Sequence, residues 1–243
     1  MLEVINPATE EVIETMGSAT VEDADEAVSR AKAAFPKWKS IEPADRVKML
    51  RRLAEALDSE RENLARLESR NTGKPISEAL GEMGMVAETF HYYAGMPERV
   101  LGDTIPVSGG IDMTFREPLG VVALIVPWNF PLTISSWKMA PALAAGNTIV
   151  LKPAELTPLT AARFERIAKE AGIPEGVVNL VVGPGSSVGQ RLAEHPDVAK
   201  VAFTGSTDVG RRVMEAASGT IKRVTLELGG KSANIVFADA DLE

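Results

Sequence analysis

The chain has 243 residues, 45% hydrophobic and 25% charged, a composition that excludes a disordered or fibrous protein and suffices for a sizeable core. A formal charge of −8 argues against nucleic acid or an anionic membrane as the main partner, and the absence of cysteine excludes a disulfide framework and a thiolate nucleophile within these residues. The opening MLEVINPATEE shows no basic, then apolar, leader, and the longest clean apolar run, VVALIV at 121–126, is too short to span a bilayer. The cytoplasm is the expected location.

The first part reads as helical. Thr20 and Asp23 form a capping-box pattern before a helix over Ala24 to Phe35, which Pro36 is expected to limit. From Pro43 to Arg70 apolar residues recur every three or four positions, predicting an amphipathic helix with a break near Asp58-Ser59. Asn71-Thr72-Gly73 supplies stop chemistry, and a further helix is expected from Ser77 to about Ala94. Residues 103–116 change character: two short extended runs flank Ser108-Gly109-Gly110, a β-hairpin with one apolar face.

After Pro118 strands and helices alternate. Strands are expected at 121–126, 148–152, 177–183, 200–205 and 224–230, with helices over 132–145, 158–171, 187–194 and 208–217. Short, continuously apolar strands separated by helices predict an α/β fold, a parallel sheet covered on both faces. Ligands bind such sheets beyond the carboxyl ends of the strands, so the residues there are the candidates.

Gly205 and Ser206 open GSTDVG between a strand and a helix, where the first free N–H groups can meet a phosphate. The lack of Lys-Ser/Thr after Gly210 argues against a Walker A loop. Gly185 lies in GPGSSVG, one residue longer than the dinucleotide fingerprint; a plain turn explains either glycine cluster equally well. Lys152 and Glu155 follow a strand, and Glu155 suits either a ribose diol or the start of a helix. Asn129, in PWNFP, suits either an oxyanion-binding amide or a helix cap. Phe130, Ile134, Trp137 and Lys138 recur at helical spacing on one face, on which a lysine is out of place. Glu227, between Leu226 and Leu228, is expected in apolar surroundings that would raise its pKa toward that of a general base. No metal-ligand cluster is visible in the sequence.

PWNFPL, WKMAPALAAGN, KPAELTP, FTGSTDVG and LELGGKSANIVF, in this order, resemble the aldehyde dehydrogenase superfamily, and VINPATEEVI and NTGKP fit as well. The resemblance covers essentially the whole chain. It implies oxidation of a small-molecule aldehyde to a carboxylic acid with NAD, or NADP, as cofactor. It assigns Glu227 as general base, Asn129 as oxyanion-hole amide and Lys138 as a lysine near the base. Lys152 and Glu155 match adenosine-ribose contacts. Pro127 and Trp128 would line the cofactor crevice, Gly185, Gly205 and Ser206 would meet the adenine and diphosphate side, and Gly229 would lie beside the nicotinamide end. Phe130, Ile134 and Trp137 suggest one apolar wall of a substrate tunnel.

The implied organisation is a helical part of the cofactor domain (1–102), a β-hairpin oligomerisation arm (103–117) and a Rossmann-like NAD-binding region (118–243). The family's nucleophilic cysteine follows the glutamate motif, so the chain is expected to be the cofactor-binding half, inactive alone and homo-oligomeric in full-length form. The alternative is a non-catalytic nucleotide-binding module, or one subunit of a split enzyme that pairs with a separate C-terminal half.

Overall fold

The structure, a computed structural model, describes residues 1–241; the last two positions of the expected 118–243 region lie outside the described residues. The chain opens with β1 (Leu2–Ile5) and β2 (Val12–Met16), an antiparallel pair. This corrects the expectation of a helical part over the whole of 1–102. The signal was the Asn6-Pro7 turn, where the Asn6 side-chain oxygen accepts the Ala8 N–H at 2.9 Å and reverses the chain before any helix can start.

Next come α1 (Val21–Lys39), α2 (Pro43–Ser59), α3 (Arg61–Thr72) and α4 (Ile76–Ala94). The Thr20 capping box forms, with Thr20 N–H to Asp23 Oδ2 at 2.7 Å and Asp23 N–H to Thr20 Oγ1 at 3.3 Å. Pro36 does not stop α1, contrary to expectation. It sits in the last turn, where its missing N–H removes one bond at most, and the fully buried Trp38 anchors the residues beyond it. The expected break in the second helix falls at Glu60, and Gly73, in the left-handed region at φ 81°, ends α3.

β3 (Thr104–Val107) and β4 (Gly110–Met113) form the expected hairpin, exposed along its whole length. The sheet is built from β5 (Val121–Ile125), β6 (Thr148–Lys152), β7 (Val178–Leu180), β8 (Val198–Gly205) and β9 (Arg223–Leu228), all parallel, in the order β7-β6-β5-β8-β9. Its helices are α5 (Pro131–Ala144), α6 (Leu159–Glu170), α7 (Gln190–Glu194) and α8 (Thr207–Ser218). The helix expected over 187–194 is a π turn (Gly185–Gly189) running into α7. The apolar run Ile235, Val236 and Phe237 forms no strand and is exposed.

Strand residues alternate between two cores. Val122, Leu124 and Ala202 pack against α2–α6, whereas Ala123, Ile125, Val201 and Phe203 pack against α1, α7 and α8. The α2–α6 cover thins beyond β8, leaving Thr225 and Glu227 exposed.

Arg46 ties the helical layer to the sheet. Its buried guanidinium donates to the carbonyls of Ala144 (3.3 Å), Trp38 (3.3 Å), Lys39 (3.2 Å) and Ile41 (3.1 Å), closing the C-terminal ends of α5 and α1 together. Gly146, at φ 86°, makes room, since a Cβ there would come within 3.2 Å of the guanidinium. Arg46→Met is therefore expected to lower stability by about 2–4 kcal/mol in urea unfolding, by stripping several buried carbonyls of their donors. A loss below about 0.5 kcal/mol, the level of an ordinary surface change, would contradict this account.

Candidate active site

The carboxyl ends of the strands open into one cleft of about 1510 Å³, running from the α6–α7 side across the sheet edge to the bare face of β8 and β9. At the first end lie Lys152, Glu155 and Gly185. Lys152 is the last residue of β6, only 4% exposed, and its ammonium donates to Pro153 O at 3.1 Å. Burial holds its pKa below the usual lysine value, and the nearby Glu155 carboxylate partly offsets this. Glu155 is half-buried and accepts the Gly185 N–H at 3.3 Å, joining the loop after β6 to the π turn. A Cβ on Gly185 would stand 4.0 Å from Lys152 Nζ, an ordinary contact, so Gly185 and Lys152 face the same corner.

In the middle, Ser206 caps α8 by accepting the Val209 N–H at 3.4 Å. A Cβ on Gly205 would come within 2.5 Å of the Phe203 ring, so packing alone favours glycine there. Pro127, Trp128 and Gly229 line the cleft, and the Thr157 hydroxyl donates to Trp128 O at 2.9 Å, stitching the loops after β5 and β6.

At the far end are Asn129, Lys138 and Glu227. Asn129 is exposed to the cleft just before α5, and its side chain does not cap that helix. Lys138 is half-buried; burial pushes its pKa down, Glu227 pushes it up, and Lys200 reinforces the lowering.

Glu227 is not buried among leucines, as the sequence led us to expect. Alternation along β9 sends Leu226 and Leu228 to the opposite face, where Leu226 joins the core under α8 and Leu228 fills the space a side chain at Gly210 would need. Glu227 itself is exposed on the bare face, within electrostatic reach of Lys138.

Ile134 and Trp137 share the cleft wall with Lys138, but Phe130 does not line it. The Phe130 ring instead lies under the Lys74 ammonium, 4.5 Å away. Two further cations also line the cleft, Lys200 and Arg212, the latter in a pair that the sequence suggests is a solvated helix face. Lys200 was legible as a polar residue in phase with Ala202 on an otherwise apolar strand; Arg212 shares a helix face with Val209.

A sequence profile of the aldehyde dehydrogenase family matches residues 1–243. Betaine aldehyde dehydrogenase of Bacillus subtilis (strain 168) is 47% identical over 244 residues, covering 99% of this chain and 50% of its own. Among solved structures, the NAD+ complex of an aldehyde dehydrogenase from Bacillus cereus is 48% identical, with a TM-score of 0.95, over 99% of this chain and 50% of that one. PnpE from Pseudomonas sp. WBC-3 is 50% identical, also at a TM-score of 0.95, with 99% and 50% covered. The chain spans about half the length of these relatives.

Proposed function

Because this chain belongs to the aldehyde dehydrogenase family, we propose that it is the cofactor-binding half of an NAD+-dependent enzyme that oxidises an aldehyde to a carboxylic acid. The observation that carries this reading is the pairing of a buried cation and a half-buried carboxylate, Lys152 and Glu155, at one end of a cleft whose other end holds Asn129, Lys138 and Glu227.

The donor set fits a dinucleotide. Lys152 uses one of its three N–H bonds on Pro153 O among the described residues, which leaves donors for a ribose oxygen, and Glu155 offers two acceptors for a vicinal diol. Gly205, Ser206 and the first amides of α8 would face the diphosphate, Pro127 and Trp128 the crevice wall, and Gly229 the nicotinamide end. When bound, that ring takes up the two electrons and the hydrogen that leave the aldehyde carbon. Asn129 donates its amide N–H to the oxygen that becomes negative as a nucleophile adds to the carbonyl. Glu227 accepts a proton from the attacking water or thiol, with Lys138 within electrostatic reach of it. Ile134 and Trp137 supply an apolar wall to the aldehyde.

The same reading takes the β3–β4 hairpin, with Ile105, Ile111 and Met113 exposed, as an oligomerisation arm of the full-length protein. It assigns the nucleophile to no residue of this chain, which has no cysteine.

Cofactor choice tests the reading. A 2′-phosphate would place a second anion against Glu155 in a partly desolvated corner. Calorimetric titration should show NAD+ bound at least about tenfold more tightly than NADP+, a gap of about 1.4 kcal/mol, with Glu155→Gln narrowing it. Binding of neither nucleotide, or tighter binding of NADP+, would overturn it.

A further inference from the structure

One face of α3 serves two of the helices that begin at the cleft, α5 and α6. Glu68 and Asn71, three residues apart, are 0% and 3% exposed, and neither side chain is spent within its own helix. The Leu132 N–H, in the first turn of α5, donates to Glu68 Oε1 at 3.4 Å, and the Thr160 hydroxyl of α6 donates to Glu68 Oε2 at 2.6 Å. The Leu159 N–H donates to Asn71 Oδ1 at 3.3 Å, and Asn71 Nδ2 donates to Leu156 O at 3.0 Å. Neither α5 nor α6 has a side-chain cap of its own, their capping positions being Phe130 and Pro158. Both helices start where the cleft loops end: 126–130, which carries Trp128 and Asn129, and 153–158, which carries Glu155.

A second pair extends this layer. Lys74 Nζ donates to Glu82 Oε1 at 2.7 Å and covers the Phe130 ring, and the Thr133 hydroxyl lies 3.5 Å from Glu82 Oε2. Burying carboxylates behind a binding site is costly, and apolar residues of similar volume would ordinarily stabilise the fold more. The cost makes sense if the layer fixes directions that apolar packing leaves loose, because hydrogen bonds set angles as well as distances.

We propose that Glu68 and Asn71 are positioning residues: together they hold the helix starts that seat Asn129 and Glu155, so one turn of α3 registers the two ends of the cleft to each other. Misplacement of a binding group by about 1 Å is enough to lose a large part of its effect, which gives such a layer a measurable role. The proposal rests on the cofactor reading above for its effect on binding, but not for its effect on loop position.

The test uses the full chain with Glu68→Leu, Asn71→Leu and the conservative Glu68→Gln, which keeps an acceptor for the Leu132 N–H. Each is assayed at a temperature where circular dichroism shows it fully folded. Two quantities are read: NAD+ affinity by calorimetry, and the indole N–H resonances of Trp128 and Trp38 in 15N-labelled protein, the three tryptophan signals being assigned with Trp128→Phe and Trp137→Phe. The leucine variants should weaken NAD+ binding by about tenfold or more and shift the Trp128 resonance, with Trp38 unmoved, while Glu68→Gln stays within about threefold of the parent. General loosening of the core would move Trp38 as well. If the leucine variants do not fold, Thr160→Val removes only the hydroxyl that bonds Glu68, and should shift Trp128 in the same direction. A parent chain that fails to bind NAD+ overturns the functional reading and leaves the resonances to decide this one. An unmoved Trp128 resonance in folded variants overturns the positioning role.

Discussion

Lys74→Met is expected to cost about 3–5 kcal/mol of folding stability, the largest loss we anticipate from one side chain of this chain. Lys74 and Glu82 are 10% and 6% exposed at the side chain, and their ion pair is held against Phe130 and Thr133. Removing the cation leaves Glu82 without its counter-charge in a place water does not reach well, and beside a second buried carboxylate, Glu68. The penalty is the stranded anion rather than the worth of the pair. The double variant Lys74→Met/Glu82→Leu should therefore recover most of the loss. Burial already pushes the Glu68 pKa above the ordinary glutamate value, with Thr160, Lys74 and the Leu132 N–H opposing that shift and Glu82 adding to it. Its sign fixes the pH dependence. The folded chain holds the Glu68 proton more tightly than the unfolded chain, so this contribution is fully present below the ordinary glutamate pKa and is lost as pH rises through the raised one. Without Lys74 one opposing charge is gone, and the fall should extend to higher pH. Urea unfolding of parent, single and double variants between acid and neutral pH measures all of this. A Lys74→Met loss below about 1 kcal/mol would mean the pair is effectively solvated.

Residues 1–243 alone are expected to produce no NADH from an aldehyde above a mock-purified background. A free aldehyde gives up its hydrogen poorly until a nucleophile has made the carbonyl carbon tetrahedral. This chain holds no cysteine, and Glu227, exposed on the bare face of β9, can at best draw a proton from water that nothing in the described residues positions. Supplying the remaining half of a relative that carries the family's cysteine should restore turnover. In that mixture Glu227→Gln should lower the rate by about a hundredfold or more, the range expected for loss of a general base. NADH formation by the purified chain alone would refute the assignment of a missing nucleophile. Undiminished turnover with Glu227→Gln would remove Glu227 from the role of base.

The sheet was legible because buried parallel strands are written as unbroken apolar runs, and β5, β6 and β8 fall within two residues of the expected bounds. The residues at their carboxyl ends were legible for the same reason, since topology sends ligands there. Two expectations fail, each for one cause. The β1–β2 hairpin was missed because four- and five-residue strands barely establish a period. Glu227 was placed among leucines by adjacency in sequence, although the period of two in a strand sends neighbours to opposite faces. Phe130 stands at the capping position before α5, with its ring under the Lys74 ammonium, a placement that helical phase alone does not reveal. The polar layer of Glu68, Asn71 and Glu82 was invisible in sequence because charged residues on helices normally face water. Only the docking of α3 and α4 against α5 and α6 turns these three inward.

Arg46 also bears on the order of events in folding. Its bond to Ala144 joins residues 98 positions apart, and its other bonds close the end of α1. The bonds to Trp38, Lys39 and Ile41 are local, but the bond to Ala144 needs α2 and α5 docked, and we expect it to form late, when most apolar surface is already buried. An interaction made after the barrier is crossed does not hasten the crossing; it slows the return. Arg46 is therefore a brake on unfolding, and its removal should appear as a shorter lifetime of the native state with little change in how fast that state is reached.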